Sequence, residues 1–312
     1  MSLLPLLNEQ KPKEKMLLGE GTKPLRSPKL KVMGNNIDDF NVGFNLLLFG
    51  PPGSGKSHFL AELIILGEKV GLIITDAGGD VAINTIKACV LASGKDMKWL
   101  QDHLRYVYAP VGENVGEGRD ALTEFFTDLQ KNPTHEWWQF EPTMLSWDGF
   151  SNYQGNYIVD EFDDSDGSVE NFKQWGKIST ATIRDSEIFF KVRPPGGRTL
   201  VRIVTCQEGS ERVKIKTGID KDGKPIFEDR IQNTGKPMLQ TRAVRMFMGA
   251  FDGVIRLSRE AGKDGQPGQF LYHITNKADE GGKKRVQLPD SAPASPKWLW
   301  QEFNKQLGIE RS

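Results

Sequence analysis

Gly50-Pro51-Pro52-Gly53-Ser54-Gly55-Lys56-Ser57 follows the apolar run Leu46-Leu47-Leu48-Phe49 and precedes Phe59-Leu60-Ala61-Glu62-Leu63-Ile64-Ile65-Leu66. The octapeptide fits GxxxxGK[ST]. In that pattern glycines let backbone N–H groups converge on a phosphate chain, the lysine reaches the β- and γ-phosphates, and the final hydroxyl binds Mg²⁺. Four apolar residues in succession predict a strand buried on both faces. The run after the loop predicts a helix whose N-terminus adds the positive end of its dipole to the anion site. The expected nucleotide-binding set is therefore Gly50, Pro51, Pro52, Gly53, Ser54, Gly55, Lys56 and Ser57, with His58 beside the phosphates and Ser57 also on the metal.

At 312 residues the chain exceeds one average domain, and one large α/β core with insertions is the simpler reading. Lys and Arg number 41, as do Asp and Glu. The whole-molecule field is thus neutral, so any nucleic-acid site must come from a local patch. Cys89 and Cys206 both sit in apolar runs and read as free thiols in a reducing compartment. No apolar stretch approaches the roughly 20 residues of a membrane span. The start, Met1-Ser2-Leu3-Leu4-Pro5-Leu6-Leu7, turns polar too soon for a signal peptide. The expected location is cytoplasmic.

Lysine and proline crowd residues 8–31, so residues 1–31 read as a flexible basic arm. The core is expected over 32–288, followed by a linker and a C-terminal helix over 289–312. Val70-Gly71-Leu72-Ile73-Ile74-Thr75-Asp76 predicts a second buried strand, Val81 to Leu91 a helix, Tyr106 to Pro110 a third strand, and Asp120 to Gln130 a helix. Alternation of strand and helix predicts a mainly parallel sheet with helices on both faces. Residues 131–142 and 160–197 are longer than usual connections and read as insertions. Trp298 to Phe303 predicts an amphipathic helix docked on the core or on a neighbouring subunit, and the other tryptophans, Trp137, Trp138 and Trp147 among them, read as buried.

Thr143-Met144-Leu145-Ser146-Trp147-Asp148 predicts a strand with an Asp at its C-terminal end, where a P-loop fold holds the Mg²⁺ water shell. Its rival is Asp160-Glu161, but Gln154-Gly155-Asn156 cuts that strand short and an acidic, polar stretch follows. Thr199 to Glu208 predicts another strand, with Gln207 placed to bond the γ-phosphate or the attacking water. Beyond it, Arg212-Val213-Lys214-Ile215-Lys216 alternates basic and apolar residues, Asp220-Lys221-Asp222-Gly223 signals a turn, and Lys224 to Ile231 returns. A hairpin with one cationic side is expected.

This order of parts resembles the RecA-like core ATPases, in particular the phage and archaeal nucleotide-binding proteins that include the RecA-core single-strand annealing proteins. The resemblance covers roughly residues 40 to 285. It rests on the P-loop, on Asp148-Gly149-Phe150-Ser151, on Cys206-Gln207-Glu208, and on Phe251-Asp252-Gly253-Val254-Ile255-Arg256-Leu257 preceded by the helix-like Thr241 to Met248. The resemblance implies an α/β RecA-like fold with a β-hairpin insertion and an ATP- and Mg²⁺-dependent ATPase. Lys56, Asp76, Asp148, Gln207 and Lys277 are its catalytic candidates, and Ser57 and Asp148 its metal-side residues. It also implies that the segment after Gln207 engages single-stranded DNA through Lys214, Lys216, Lys224 and Arg230, with Phe227 a stacking platform.

The resemblance further places a glutamate after the second core strand to activate water. Here Thr75-Asp76-Ala77-Gly78-Gly79-Asp80 offers only aspartates, with Asp76 the better placed, and slow hydrolysis is expected. A positive charge donated by a neighbouring subunit falls first to Lys277, then to Arg285, so a ring or filament of like subunits is expected. Phage-type recombination or replication is the process implied. The alternatives are a nucleotide-switched assembly with incidental turnover, and a motor or loader that recognises a protein partner without touching DNA. No base-reading motif distinguishes ATP from GTP.

Overall fold

β1 (Asn45–Gly50) is apolar on both sides because it lies in the middle of a sheet with helices on both faces. Leu46 and Leu48 point into one core and Leu47 and Phe49 into the other, as the two-residue period of a strand requires. The computed structural model describes residues 43–76, 78–109, 115–155, 172–219, 221, 224–239, 249–260, 262, 268–274, 289, 291–293 and 295–306. Through these run α1 (Lys56–Ile65), β2 (Val70–Ile74), α2 (Gly79–Ala92), α3 (Met97–His103), β3 (Leu104–Tyr108), α4 (Val115–Lys131), α5 (Glu136–Gln139) and β4 (Met144–Asp148). They are followed by α6 (Phe172–Lys191), β5 (Val201–Ile219), β6 (Pro225–Pro237), β7 (Gly253–Arg259), β8 (Phe270–Ile274), β9 (Ser291–Pro293) and α7 (Pro296–Gln306).

The sheet order is β3-β2-β4-β5-β1-β7-β8-β9, with β6 paired only to β5. The six strands from β3 to β7 are parallel, and β8 and β9 extend the sheet antiparallel. Residues of α1, α2, α3 and α7 fill one core with Leu46, Leu72, Met144 and Ile203. Residues of α4, α5 and α6 fill the other with Phe49, Ile73, Trp147 and Val204. This is the α/β class, with its mainly parallel sheet, helices on both faces and hairpin, that the sequence predicts.

α7 closes the first core. Phe303 stacks on Phe44 with ring centroids 5.1 Å apart, Trp300 tilts against the same ring at 5.5 Å, and Trp300 Nε1 donates to Glu68 Oε1 at 2.7 Å. The helix therefore docks on its own core, one of the two placements expected. Trp137, Trp138, Trp147 and Trp300 are buried, as is Cys206, whereas Trp298 is exposed and Cys89 only half-buried.

The connection at 160–197 carries the twenty-residue α6. Sequence periodicity missed it because four of its buried positions, Ser179, Thr182, Asp185 and Ser186, are polar. α3 was missed as well; Asp96 caps it, accepting a hydrogen bond from the Trp99 N–H at 2.8 Å. The predicted helix at 241–248, the rival Asp160-Glu161, the candidates Lys277 and Arg285 and the arm at 1–31 lie outside the described residues. No described helix is long and apolar enough to cross a membrane.

Candidate functional site: a phosphate-binding loop and an attached ribbon

The loop between β1 and α1 has the geometry its glycines predict. Gly53 and Gly55 have φ of 75° and 97°, the left-handed region that suits glycine. At Gly50 a Cβ would stand 2.2 Å from the Leu257 carbonyl oxygen and 2.6 Å from Ser54 Oγ, so only glycine fits beneath the loop. No side chain caps the N-terminus of α1, which leaves its first N–H groups to an anion.

Lys56 Nζ turns back into the loop. It donates to the Gly50 carbonyl at 2.8 Å, the Pro51 carbonyl at 3.1 Å and Ser54 Oγ at 3.5 Å. Burial lowers its pKa, while the charges of Asp148, Cys206, Asp76 and Glu208 act in the opposite sense. Ser57 is half-buried and His58 exposed on the first turn of α1.

The parallel strands set the other candidates along the same edge. Asp148 ends β4, is buried, and its Oδ1 accepts a hydrogen bond from Thr205 Oγ1 of β5. Burial raises its pKa; the Thr205 bond lowers it, Asp76 raises it and Lys56 lowers it. Asp76 follows β2 and lies directly over Gly149, where an added Cβ would stand 2.7 Å from Asp76 Cβ. Its Oδ1 accepts from Asn152 Nδ2 at 2.6 Å and from the Gly78 N–H at 3.1 Å. Gln207 pairs in register with Gly50, and its N–H donates to Ser151 Oγ at 2.9 Å. Lys56, Asp76, Asp148 and Gln207 thus share the C-terminal edge of β1, β2, β4 and β5, where open α/β sheets bind ligands.

These donors suit Mg²⁺. Asp148 is a buried carboxylate, an arrangement that is costly without a cation, and Ser57 adds a hydroxyl. Among the described residues no cluster of three His, Cys, Asp or Glu side chains could hold a metal alone. Mg²⁺ does not need one, since it is commonly held by one or two carboxylates, water and substrate phosphates.

β5 does not stop at Gln207. It runs on to Ile219 and, paired antiparallel with β6, forms a ribbon whose outer part is exposed. The register pairs Arg212 with Ile231, Lys214 with Asp229 and Lys216 with Phe227, so these six share one face. Val213, Ile215, Glu228 and Arg230 lie on the other. Phe227 and Ile231 on that face are 55% and 75% exposed.

The structure thus keeps Lys214 and Lys216 together and sets Arg230 on the reverse face, where it pairs with Glu228 at 3.1 Å. Arg212 completes the cationic row instead. Lys224 is exposed just before β6.

Several residues support these groups. Glu208, buried at the root of the ribbon, accepts from the Gly235 N–H of β6 at 2.7 Å and pairs with Arg256 of β7 at 3.0 Å. Thr205 and Asn152 hold the two aspartates; each lies beside a stretch the sequence marks, but neither was assigned a role.

No family model matches the sequence, and no curated protein is detectably similar to it. Among solved structures the chain is similar to the RadB recombinase, with a TM-score of 0.45 and 12% identity over 80% of this chain and 86% of that one.

Proposed function

We propose that the protein is a RecA-like, Mg²⁺-dependent ATPase acting on single-stranded DNA in phage-type recombination or replication. The observation that carries this reading is a single edge of the sheet. It holds the glycine loop with Lys56, both aspartates and Gln207, and one continuous strand leads from it into an exposed ribbon with Arg212, Lys214, Lys216, Phe227, Ile231 and Asp229 on one face.

The chemistry follows from placement. Loop amides and Lys56 hold the phosphates; Ser57 and Asp148 would hold Mg²⁺, which would supply positive charge to offset that of the phosphate chain. Asp76 orients the attacking water from the end of β2, the strand beside the one that carries Asp148. Gln207, opposite Gly50, meets the γ-phosphate and begins the ribbon. Aromatic and cationic side chains on one face suit single strands, whose bases stack and whose phosphates pair with lysine and arginine.

The experiment is ATP turnover with and without single-stranded DNA, for wild type and Lys56→Ala. Turnover stimulated by DNA and abolished in the variant is expected. Turnover indifferent to DNA, with no DNA binding at low salt, overturns the DNA assignment in favour of a protein-directed motor or loader.

One observation favours a second reading. Asp76 is the shorter carboxylate, and one of its oxygens already accepts two hydrogen bonds. A switch whose assembly responds to ATP binding, with hydrolysis incidental, fits that restraint; nucleotide-dependent assembly with unstimulated turnover would select it.

A further inference from the structure

Loop amides account for a triphosphate but leave the nucleoside without a seat. Residues 50–57 contain no aromatic side chain. A ring reaches the loop from β8: Phe270 opens that strand and pairs across with Arg259 of β7. Because β8 runs antiparallel, its first residue comes to the sheet edge that carries the loop.

The Phe270 ring lies against Gly55, where an added Cβ would meet three ring carbons at 2.9–3.2 Å. Glycine at 55 therefore answers two demands, the left-handed turn and the seat of this ring. The His58 ring is 5.2 Å away at a 44° tilt, and the Arg259 guanidinium lies 5.5 Å from the ring centroid. Core phenylalanines such as Phe44, Phe49, Phe59 and Phe126 are 1–2% exposed. Phe270 is only half-buried, and its neighbours His58 and Arg259 are exposed.

An aromatic ring at the rim of a phosphate loop, beside an imidazole and a guanidinium, has the composition that holds a planar heterocycle. We propose that Phe270, with His58 and Arg259, forms the nucleobase subsite of this loop. The phosphate chain lies over Gly53–Ser57 and the base stacks on the Phe270–His58 wall. The assignment rests on the nucleotide reading above and adds to it the residues that bind the base. Stacking does not read base edges, so purines are held without strong discrimination.

Calorimetric titration with Mg²⁺ separates the two claims, using ATP, GTP and inorganic tripolyphosphate against wild type, Phe270→Leu and Phe270→Tyr. The expected result is an affinity for ATP and GTP about tenfold weaker in Phe270→Leu and near wild type in Phe270→Tyr, with tripolyphosphate unchanged throughout. Unchanged nucleotide affinity in Phe270→Leu overturns the subsite and leaves the phosphate loop standing. Loss of tripolyphosphate as well in that variant makes Phe270 a cover for the loop and also overturns it. A wild-type protein that binds neither nucleotide nor tripolyphosphate refutes the nucleotide reading, and the subsite with it.

Discussion

Asp76 and Asp148 sit side by side at one sheet edge with different restraints. Asp76 is pinned through Oδ1 by Asn152 and the Gly78 N–H, and its side chain is one methylene shorter than the glutamate the resemblance implies. Displacements of that size are worth up to ~10² in rate. Turnover below about 1 s⁻¹, raised in Asp76→Glu, is therefore expected from steady-state ATPase measurements.

Asp148 gives a pH prediction. Burial raises its pKa, so the folded protein binds this proton more tightly than the unfolded chain does. The ionised form is then a cost at neutral pH, relieved as pH falls through the folded value. Without nucleotide, Asp148→Asn is expected to melt a few degrees above wild type at pH 8, the gap narrowing as pH falls, while ATPase activity is lost. Thermal melts across pH test the sign. At this scale the loop and Asp148 were legible because motif and strand end are local in sequence. Thr205 and Phe270 were not, because they reach the site only through strand pairing.

The ribbon is the element whose sequence was read well and whose chemistry needed register. Alternation of basic and apolar residues in Arg212–Lys216 was visible, but which return-strand residues join that face depends on pairing. Lys216 opposite Phe227, and irregularities between Glu208 and Ser210 and between Lys216 and Gly218, settle it. Lys214→Glu with Lys216→Glu is expected to weaken single-stranded DNA binding at least tenfold and to flatten its salt dependence. Arg230→Ala, on the reverse face and already paired with Glu228, is expected to change it less than threefold. Fluorescence titrations at several salt concentrations make the comparison. α6 shows the opposite case: its buried stripe uses Ser179, Thr182, Asp185 and Ser186, so apolar spacing could not announce it.

Across the whole molecule, helix and strand alternation was enough to give the class and both helical layers. Closure came from a separate signal, the amphipathic Trp298 to Phe303 run: α7 seals the first core through Phe44, Trp300 and Phe303, one of the two placements the sequence allowed. Trp300→Ala removes a buried ring and the donor to Glu68 Oε1. It is expected to cost about 3–5 kcal/mol, read as a lower denaturation midpoint in urea.

β5 also has a mechanical side. Ile219 lies twelve residues beyond Gln207 within one strand, a contour of about 40 Å at ~3.3 Å per residue. A tilt of about 5° at its base sweeps the tip through roughly 3 Å, about the rise of one strand residue. On the proposed reading, a small displacement at Gln207 is carried to the tip by the strand itself, through pairing that shifts register between Glu208 and Ser210 and again between Lys216 and Gly218.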